Sequence, residues 1–273
     1  MKVEVIKREG NALSLLLDGI PVIIANSIRR TIISEVPTMA IEYVFVYENN
    51  SVMNDQVLAH RLGLIPLTTS LEDYVLHEDC DCATDYGCPK CSVTLHMEAE
   101  AEDAPRVVYS GEINSEDESV VPVSPDIPLV KLAPGQKIVL EMRALLGRGG
   151  EHAKWQPVSQ AVVRGVPVFR VDEAKCDECS KCVEECPVSI IALDPKPSLS
   201  NLYACTTCRQ CERACPLEAI TIGIDESSSI LALESNGQMP PEKTLEAALS
   251  ILTEKLGELR GLLEEGGSMI EEG

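Results

Sequence analysis

The run Cys176-Asp-Glu-Cys179-Ser-Lys-Cys182-Val-Glu-Glu-Cys186-Pro187 recurs 29 residues later as Cys205-Thr-Thr-Cys208-Arg-Gln-Cys211-Glu-Arg-Ala-Cys215-Pro216. Both copies read C-x2-C-x2-C-x3-C-P, and the apolar tails that follow, VSIIAL and LEAITI, correspond as well. A C-x2-C-x2-C loop wraps three thiolates around one core and leaves the fourth position to a cysteine that the loop itself cannot supply. The chain has 12 cysteines, too many for idle thiols, and a disulfide framework belongs to secreted domains, so metal is the default reading. A pair of four-cysteine zinc sites is the alternative. Zinc motifs, however, join two C-x2-C knuckles across a longer gap and have no use for a terminal Cys-Pro.

With both motifs complete over about 50 residues, this block resembles a two-cluster bacterial-type ferredoxin. In that arrangement the fourth cysteine of each run serves the other cluster. The resemblance implies Cys176, Cys179, Cys182 and Cys215 around one 4Fe-4S cluster, and Cys205, Cys208, Cys211 and Cys186 around a second. A 3Fe-4S form would arise if one ligand bond were lost.

The remaining cysteines read Cys80-x-Cys82-x5-Cys88-x2-Cys91 in a loop rich in Gly, Pro and Asp. That composition suits one Zn2+ knuckle, and the alternative is an unoccupied, redox-labile loop. Together the three groups use every cysteine in the chain.

Around these motifs the chain of 273 residues is long enough, at about 150 residues per domain, for two compact units and a small third. The formal net charge is −21, which repels phosphate backbones and argues against direct DNA binding. Residues 1–70 are the near-neutral part, at −1. A hydrophobic content of 45% excludes a disordered chain, and aromatics at 3% leave the core to Val, Ile, Leu and Ala. The start MKVEVIKREG has no apolar signal region, and no stretch reaches the ~18 apolar residues of a membrane span, so a cytoplasmic protein without membrane contact is expected.

Residues 2–17 read as two strands around Glu9-Gly10-Asn11, followed by a helix over 22–34 with Ile23, Ile24, Ser27, Ile28 and Ile32 as its apolar stripe, stopped by Pro37. Residues 39–47 read as a strand and 58–64 as a short helix. From 93 to 171 alternating segments predict an antiparallel β unit, with 103–126 as exposed loops, and two more strands follow the cysteine block. A C-terminal helix over 242–263 carries Leu245, Leu249, Leu252, Leu256, Leu259 and Leu263 at spacings 4, 3, 4, 3, 4. This narrow seam needs a second helix, within the chain or across a subunit interface.

No dinucleotide or nucleotide-phosphate loop is present, Gly147-Arg148-Gly149-Gly150 lacks the strand-to-helix context of one, and no nucleophile-base pair can be read. The four histidines, His60, His77, His96 and His152, are scattered and read as ordinary surface or packing residues. No catalytic residue is therefore expected. What stands out is Asn26-Ser-Ile-Arg-Arg-Thr-Ile-Ile-Ser-Glu-Val-Pro-Thr-Met-Ala-Ile-Glu42, then Leu58-Ala-His-Arg-Leu-Gly-Leu-Ile-Pro-Leu67, then Glu151-His-Ala-Lys-Trp-Gln-Pro157. These resemble the signatures of the alpha-like assembly subunits of RNA polymerase, specifically those of the archaeal enzyme, over essentially the whole chain.

That resemblance implies an α+β architecture: a discontinuous dimerisation domain (1–44 and 223–273), a β insert domain with the Cys loop (45–168), and an inserted ferredoxin-like domain (169–222). It implies a non-catalytic platform subunit of a DNA-directed RNA polymerase, with nucleotidyl transfer performed by other chains. The leucine seam would meet the small alpha-like subunit L, and the helix bearing Asn26, Arg29 and Arg30 would lie near that partner and the large catalytic subunits. Subunits N and P would complete the platform. Eukaryotic relatives carry a zinc loop in the insert domain, although the middle gap of Cys80–Cys91 departs from their spacing. The rival readings are an electron-transfer subunit of an anaerobic oxidoreductase and a free-standing metal scaffold.

Overall fold

The computed structural model describes residues 1–271, with side chains up to Glu264. The last two residues of the 223–273 segment expected from the sequence lie outside the described residues. The chain opens with β1 (Lys2–Glu9), β2 (Ala12–Asp18), α1 (Val22–Ser34), β3 (Pro37–Asn49) and α2 (Asp55–Gly63). There follow β4 (Ser92–Ala101), β5 (Arg106–Tyr109), β6 (Asn114–Ser115), β7 (Pro128–Leu132), β8 (Gln136–Arg148) and β9 (Val158–Val171). The cysteine block holds α3 (Lys181–Glu184), β10 (Ile191–Leu193), β11 (Pro197–Leu199) and α4 (Gln210–Ala214), after which come β12 (Ile220–Ser235) and α5 (Pro241–Glu271). Two compact units result: residues 1–9, 13–27 and 162–232 form one, and residues 10–12, 28–161 and the chain from 233 onward form the other.

In the first unit a sheet of order β1-β2-β12-β9 carries the cysteine block between β9 and β12. Gly10 turns β1 into β2 with φ of +53°, a backbone state that glycine reaches without strain. Strand β2 alternates, burying Leu13, Leu15 and Leu17, whereas the edge strand β1 leaves Val3 and Val5 exposed. The two strands expected after the cysteine block are one continuous strand, β12. Within the block, β10 and β11 pair as a small hairpin.

The second unit is built on an antiparallel sheet of order β3-β8-β4-β6. The long β3–β8 ladder runs from Pro37↔Arg148 to Asn49↔Ile138, with irregularities between Ile41 and Tyr43 and between Val46 and Glu48. Alternation puts Leu95, Met97 and Ala99 of β4 and Ile138, Leu140 and Met142 of β8 into the core, joined by Leu58 and Leu62 of α2 and by Leu129 and Leu132 of β7. Helix α2 is capped by the Asn54 side chain, which accepts from the Val57 N–H at 2.9 Å. Arg61 then ties it to β7 by donating to the Pro128 carbonyl at 2.7 Å.

Residues 103–126 are not merely exposed loops. Val108, Ser110, Ile113 and Val120 are buried there, because the segment is pinned by bonds such as Thr68 N–H to the Val121 carbonyl at 2.8 Å and Ser110 N–H to the Ile127 carbonyl at 2.9 Å. In α1 the buried stripe is Ala25, Ile28 and Ile32, spaced 3 and 4, while Ile23 and Ile24 are 81% and 54% exposed. The four residues Gly147–Gly150 serve packing. A Cβ on Gly147 would sit 2.4 Å from the Trp155 ring, and one on Gly149 would sit 2.0 Å from the Ile33 carbonyl. Trp155 is buried, donates through Nε1 to the Leu145 carbonyl at 3.2 Å, and carries the Lys154 ammonium 4.3 Å over its ring. Among the described residues no helix is long and apolar enough to cross a membrane.

Candidate metal centres

The sequence repeat is repeated in the backbone. Glu178, Ser180 and Ser189 have φ of 63°, 63° and 51°, and Thr207, Arg209 and Glu218, each 29 residues on, have 54°, 59° and 50°. Non-glycine residues seldom enter this region, and they persist there only where the surroundings over-determine them. Such left-handed positions are common in the tight loops that bind anions and iron-sulfur cores.

Two cavities in the block are lined by cysteines. The first is lined by Cys176, Cys179, Cys182 and Cys215 with Asp177, Glu178, Leu193 and Ile220. The second is lined by Cys205, Cys208, Cys211 and Cys186 with Phe169, Ile190, Ile191, Ile222 and Arg209. The last cysteine of each run thus lines the other run's cavity. Cys182, Cys205 and Cys211 are buried, Cys179 and Cys208 exposed, and Cys176, Cys186 and Cys215 half-buried. Burial pushes the Cys182 thiol up and the Cys211 thiol up to about 11, so a ligand that requires thiolates must displace their protons as it binds. The donor set, four thiols lining each cavity, fits an iron-sulfur core.

The loop Cys80–Cys91 has a different geometry. The Sγ atoms of Cys80 and Cys88 are 3.7 Å apart, those of Cys82 and Cys91 3.6 Å, and those of Cys88 and Cys91 3.9 Å. A tetrahedral ion with metal–sulfur bonds of about 2.3 Å holds its sulfurs roughly 3.8 Å apart, so these spacings fit a four-thiolate zinc site. Among the described residues no other group of three or more His, Cys, Asp or Glu side chains brings its ligand atoms within 4.8 Å of one another. The wider-set quartets of the block suit a core of several irons better than a single ion. The Cys88 N–H donates to Cys91 Sγ at 3.2 Å, the Thr84 hydroxyl holds Cys82 down to about 6, and burial pushes Cys91 up to about 12. Gly87, at φ of +83°, passes so close that a Cβ would meet Ser92 Cβ at 2.7 Å and Cys91 Sγ at 3.3 Å.

His77, read from the sequence as ordinary, belongs to this site: its Nδ1 lies 3.5 Å from Cys91 Sγ. Its one local signal was its place three residues before Cys80. The other histidines stay apart from the cysteines, His96 beside Glu116 and His152 accepting from the Lys154 N–H.

The residues expected at a partner interface lie on α1 and α5. Arg30 is exposed, and Asn26 and Arg29 are half-buried. Helix α5 docks by Thr244 and Ala248, both 0% exposed, rather than by its leucines. Leu245 and Leu252 are half-buried, and Leu249, Leu256, Leu259 and Leu263 are exposed, Leu256 to 65%.

Residues 44–173 match the RNA polymerase Rpb3/RpoA insert domain, and residues 169–216 match the 4Fe-4S dicluster domain. Fold and site together therefore define an α+β, iron-sulfur-binding protein built around an insert domain of the Rpb3/RpoA type. The chain is 38% identical to the DNA-directed RNA polymerase subunit Rpo3 of Archaeoglobus fulgidus, covering 97% of this chain and 98% of the relative. Against the subunits of the same name from Methanothermobacter thermautotrophicus and Pyrococcus furiosus the identities are 42% and 35%, covering 92% and 93% of this chain and 94% of each relative. The chain belongs to the DNA-directed RNA polymerase subunit Rpo3 family.

Proposed function

We propose that this chain is a non-catalytic assembly subunit of a DNA-directed RNA polymerase, working in the cytoplasm and contacting proteins rather than DNA. The observation that carries the reading is the near-full-length match to polymerase subunits, and the exposed Leu249, Leu256, Leu259 and Leu263 of the α5 seam agree with it. In this reading residues 1–44 and 223–273 form a dimerisation domain, 45–168 the insert domain and 169–222 the iron-sulfur domain. The seam Leu245, Leu249, Leu252, Leu256, Leu259 and Leu263 packs on the small alpha-like subunit L, with Asn26, Arg29 and Arg30 of α1 alongside. Apolar burial at about 25 cal/mol per Å2 supplies the affinity. Subunits N and P and the two large subunits then mount on the heterodimer.

Cys176, Cys179, Cys182 and Cys215 would hold one 4Fe-4S cluster, and Cys205, Cys208, Cys211 and Cys186 the other. Cys80, Cys82, Cys88 and Cys91 would hold Zn2+. The clusters supply covalent cross-links where apolar core is scarce, so their loss loosens the iron-sulfur domain and weakens recruitment of the large subunits. The chain's own part is to set four thiols around each cavity. The rival reading, electron transfer for an oxidoreductase, predicts reversible reduction coupled to a partner's turnover.

The test is co-purification of the tagged chain with its polymerase subunits, with iron, sulfide and zinc counted per chain. Leu252→Asp or Leu256→Asp is expected to weaken the heterodimer by roughly 100-fold or more, as loss of an interface anchor does. A heterodimer unchanged by both substitutions removes the seam from the interface.

A further inference from the structure

We propose that Lys196 and Arg164 are positioning residues for the two iron-sulfur sites, each clamping the backbone carbonyl of one run's first cysteine and thereby governing retention and potential of that cluster alone. The proposal rests on the iron-sulfur reading of the cysteine block. Lys196 Nζ donates to the Cys176 carbonyl at 3.1 Å and pairs with Glu178 Oε1 at 3.0 Å. Arg164 donates through Nη1 to the Cys205 carbonyl at 2.8 Å and through Nη2 to the Tyr203 carbonyl.

The 29-residue repeat does not explain these contacts. The position equivalent to Lys196 is Asp225, and the position equivalent to Arg164 is Gly135. A cation reaches the same atom of each run from unrelated places: Lys196 from the turn between β10 and β11, Arg164 from β9 in the sheet. The clamped carbonyl is where the chain enters a loop of left-handed residues, so a charge-assisted bond there holds a strained wrap in its binding shape. Each clamp is specific to its site. Lys196 is tied to Glu178, which lines the first cavity, whereas Arg164 anchors the second loop to β9. A cation beside an anionic core also favours the reduced, more negative state and so raises its potential.

The experiment uses the full-length chain purified without air. Lys196→Gln and Arg164→Gln are each compared with wild type, and the sites are told apart in Cys205→Ser/Cys208→Ser and Cys176→Ser/Cys179→Ser backgrounds, which leave the first and the second cluster respectively. Iron release to a chelator and the midpoint of dithionite reduction, followed by electron paramagnetic resonance, are the readouts. Lys196→Gln is expected to speed release from the first site roughly tenfold, the scale of other outer-shell losses, and to move its midpoint negative while the second site stays as in wild type. Arg164→Gln should do the reverse. Lys196→Arg and Arg164→Lys, which keep the charge, should give intermediate, equally site-selective release with midpoints near wild type, and they carry the test if a glutamine variant does not fold. Unmoved release and midpoints, or equal changes at both sites, overturn the clamp. A wild-type chain that takes up no iron or sulfide overturns the iron-sulfur reading and the clamp with it, whereas loaded wild type with unmoved variants overturns the clamp alone.

Discussion

The cysteine block and the β3-β8-β4-β6 unit solve the same problem with different materials. The β unit buries twenty-three side chains in one cluster, among them Leu95, Met97, Leu132 and Leu140. The core around the block consists of five, Cys182, Ile191, Cys211, Ile220 and Ile222, two of which are thiols. Burial at about 25 cal/mol per Å2 can hold the first region by itself. The second has too little apolar area to offset the entropy of ordering it, and it keeps six non-glycine residues at positive φ as well. Metal-thiolate bonds are the remaining source of stability, so the two regions should respond oppositely to the same treatments.

The largest effect is expected from removing the clusters. A chain carrying Cys176→Ser, Cys179→Ser, Cys205→Ser and Cys208→Ser together, or one stripped by a chelator, should lose amide-exchange protection through 176–222 and keep it in β3, β4 and β8. Full protection of the block without iron would break the comparison. Next comes the β core itself. Leu132, 0% exposed, replaced by Ala should cost about 3 kcal/mol and lower the Tm of that unit by roughly 5–10 °C, with iron and sulfide per chain unchanged.

A smaller effect sharpens the contrast inside the second unit, where the four-cysteine loop accompanies a core that needs no metal. Cys91→Ser should abolish zinc binding, read by metal analysis, and shift the Tm less than Leu132→Ala does. The smallest prediction concerns Tyr74, whose hydroxyl donates to the Asp117 carboxylate and holds that carboxyl below its usual range. A depressed carboxylate contributes stability that is present above its unfolded value near about pH 4 and is lost as pH falls through the lower folded value. Tyr74→Phe should therefore cost about 1 kcal/mol at pH 7 and flatten the loss of stability below pH ~4, measured by urea unfolding across that range.

How far the sequence could be read depends on how local each feature is. The hairpin at Gly10 and the alternation of β4 and β8 were legible because each depends on neighbours a few residues away, whereas the helix expected over 58–64 starts three residues earlier, at Asp55, behind its Asn54 cap. The buried stripe of α1 was misread: apolar Ile23 and Ile24 outweighed Ala25 in the pattern, yet Ala25 is the residue turned inward. Residues 103–126 looked like loops because their composition is acidic, and only pairing with Thr68 and Ile127 buries Val108, Ser110 and Val120. His77 carried no signal beyond its closeness to Cys80.

By itself, then, the sequence determined the donor types, the three-cysteine wraps and their repetition, and the existence of a leucine seam, because a spacing of two or three residues limits what one loop or helix face can present. Only the tertiary structure decided which donors stand together. The placing of His77 beside Cys91, the cations Lys196 and Arg164 on the first carbonyls of the two runs, and the docking of α5 through Thr244 and Ala248 all join residues through packing. Separation along the chain carries no information about such contacts, since the turns and sheet registers between the partners set their distance.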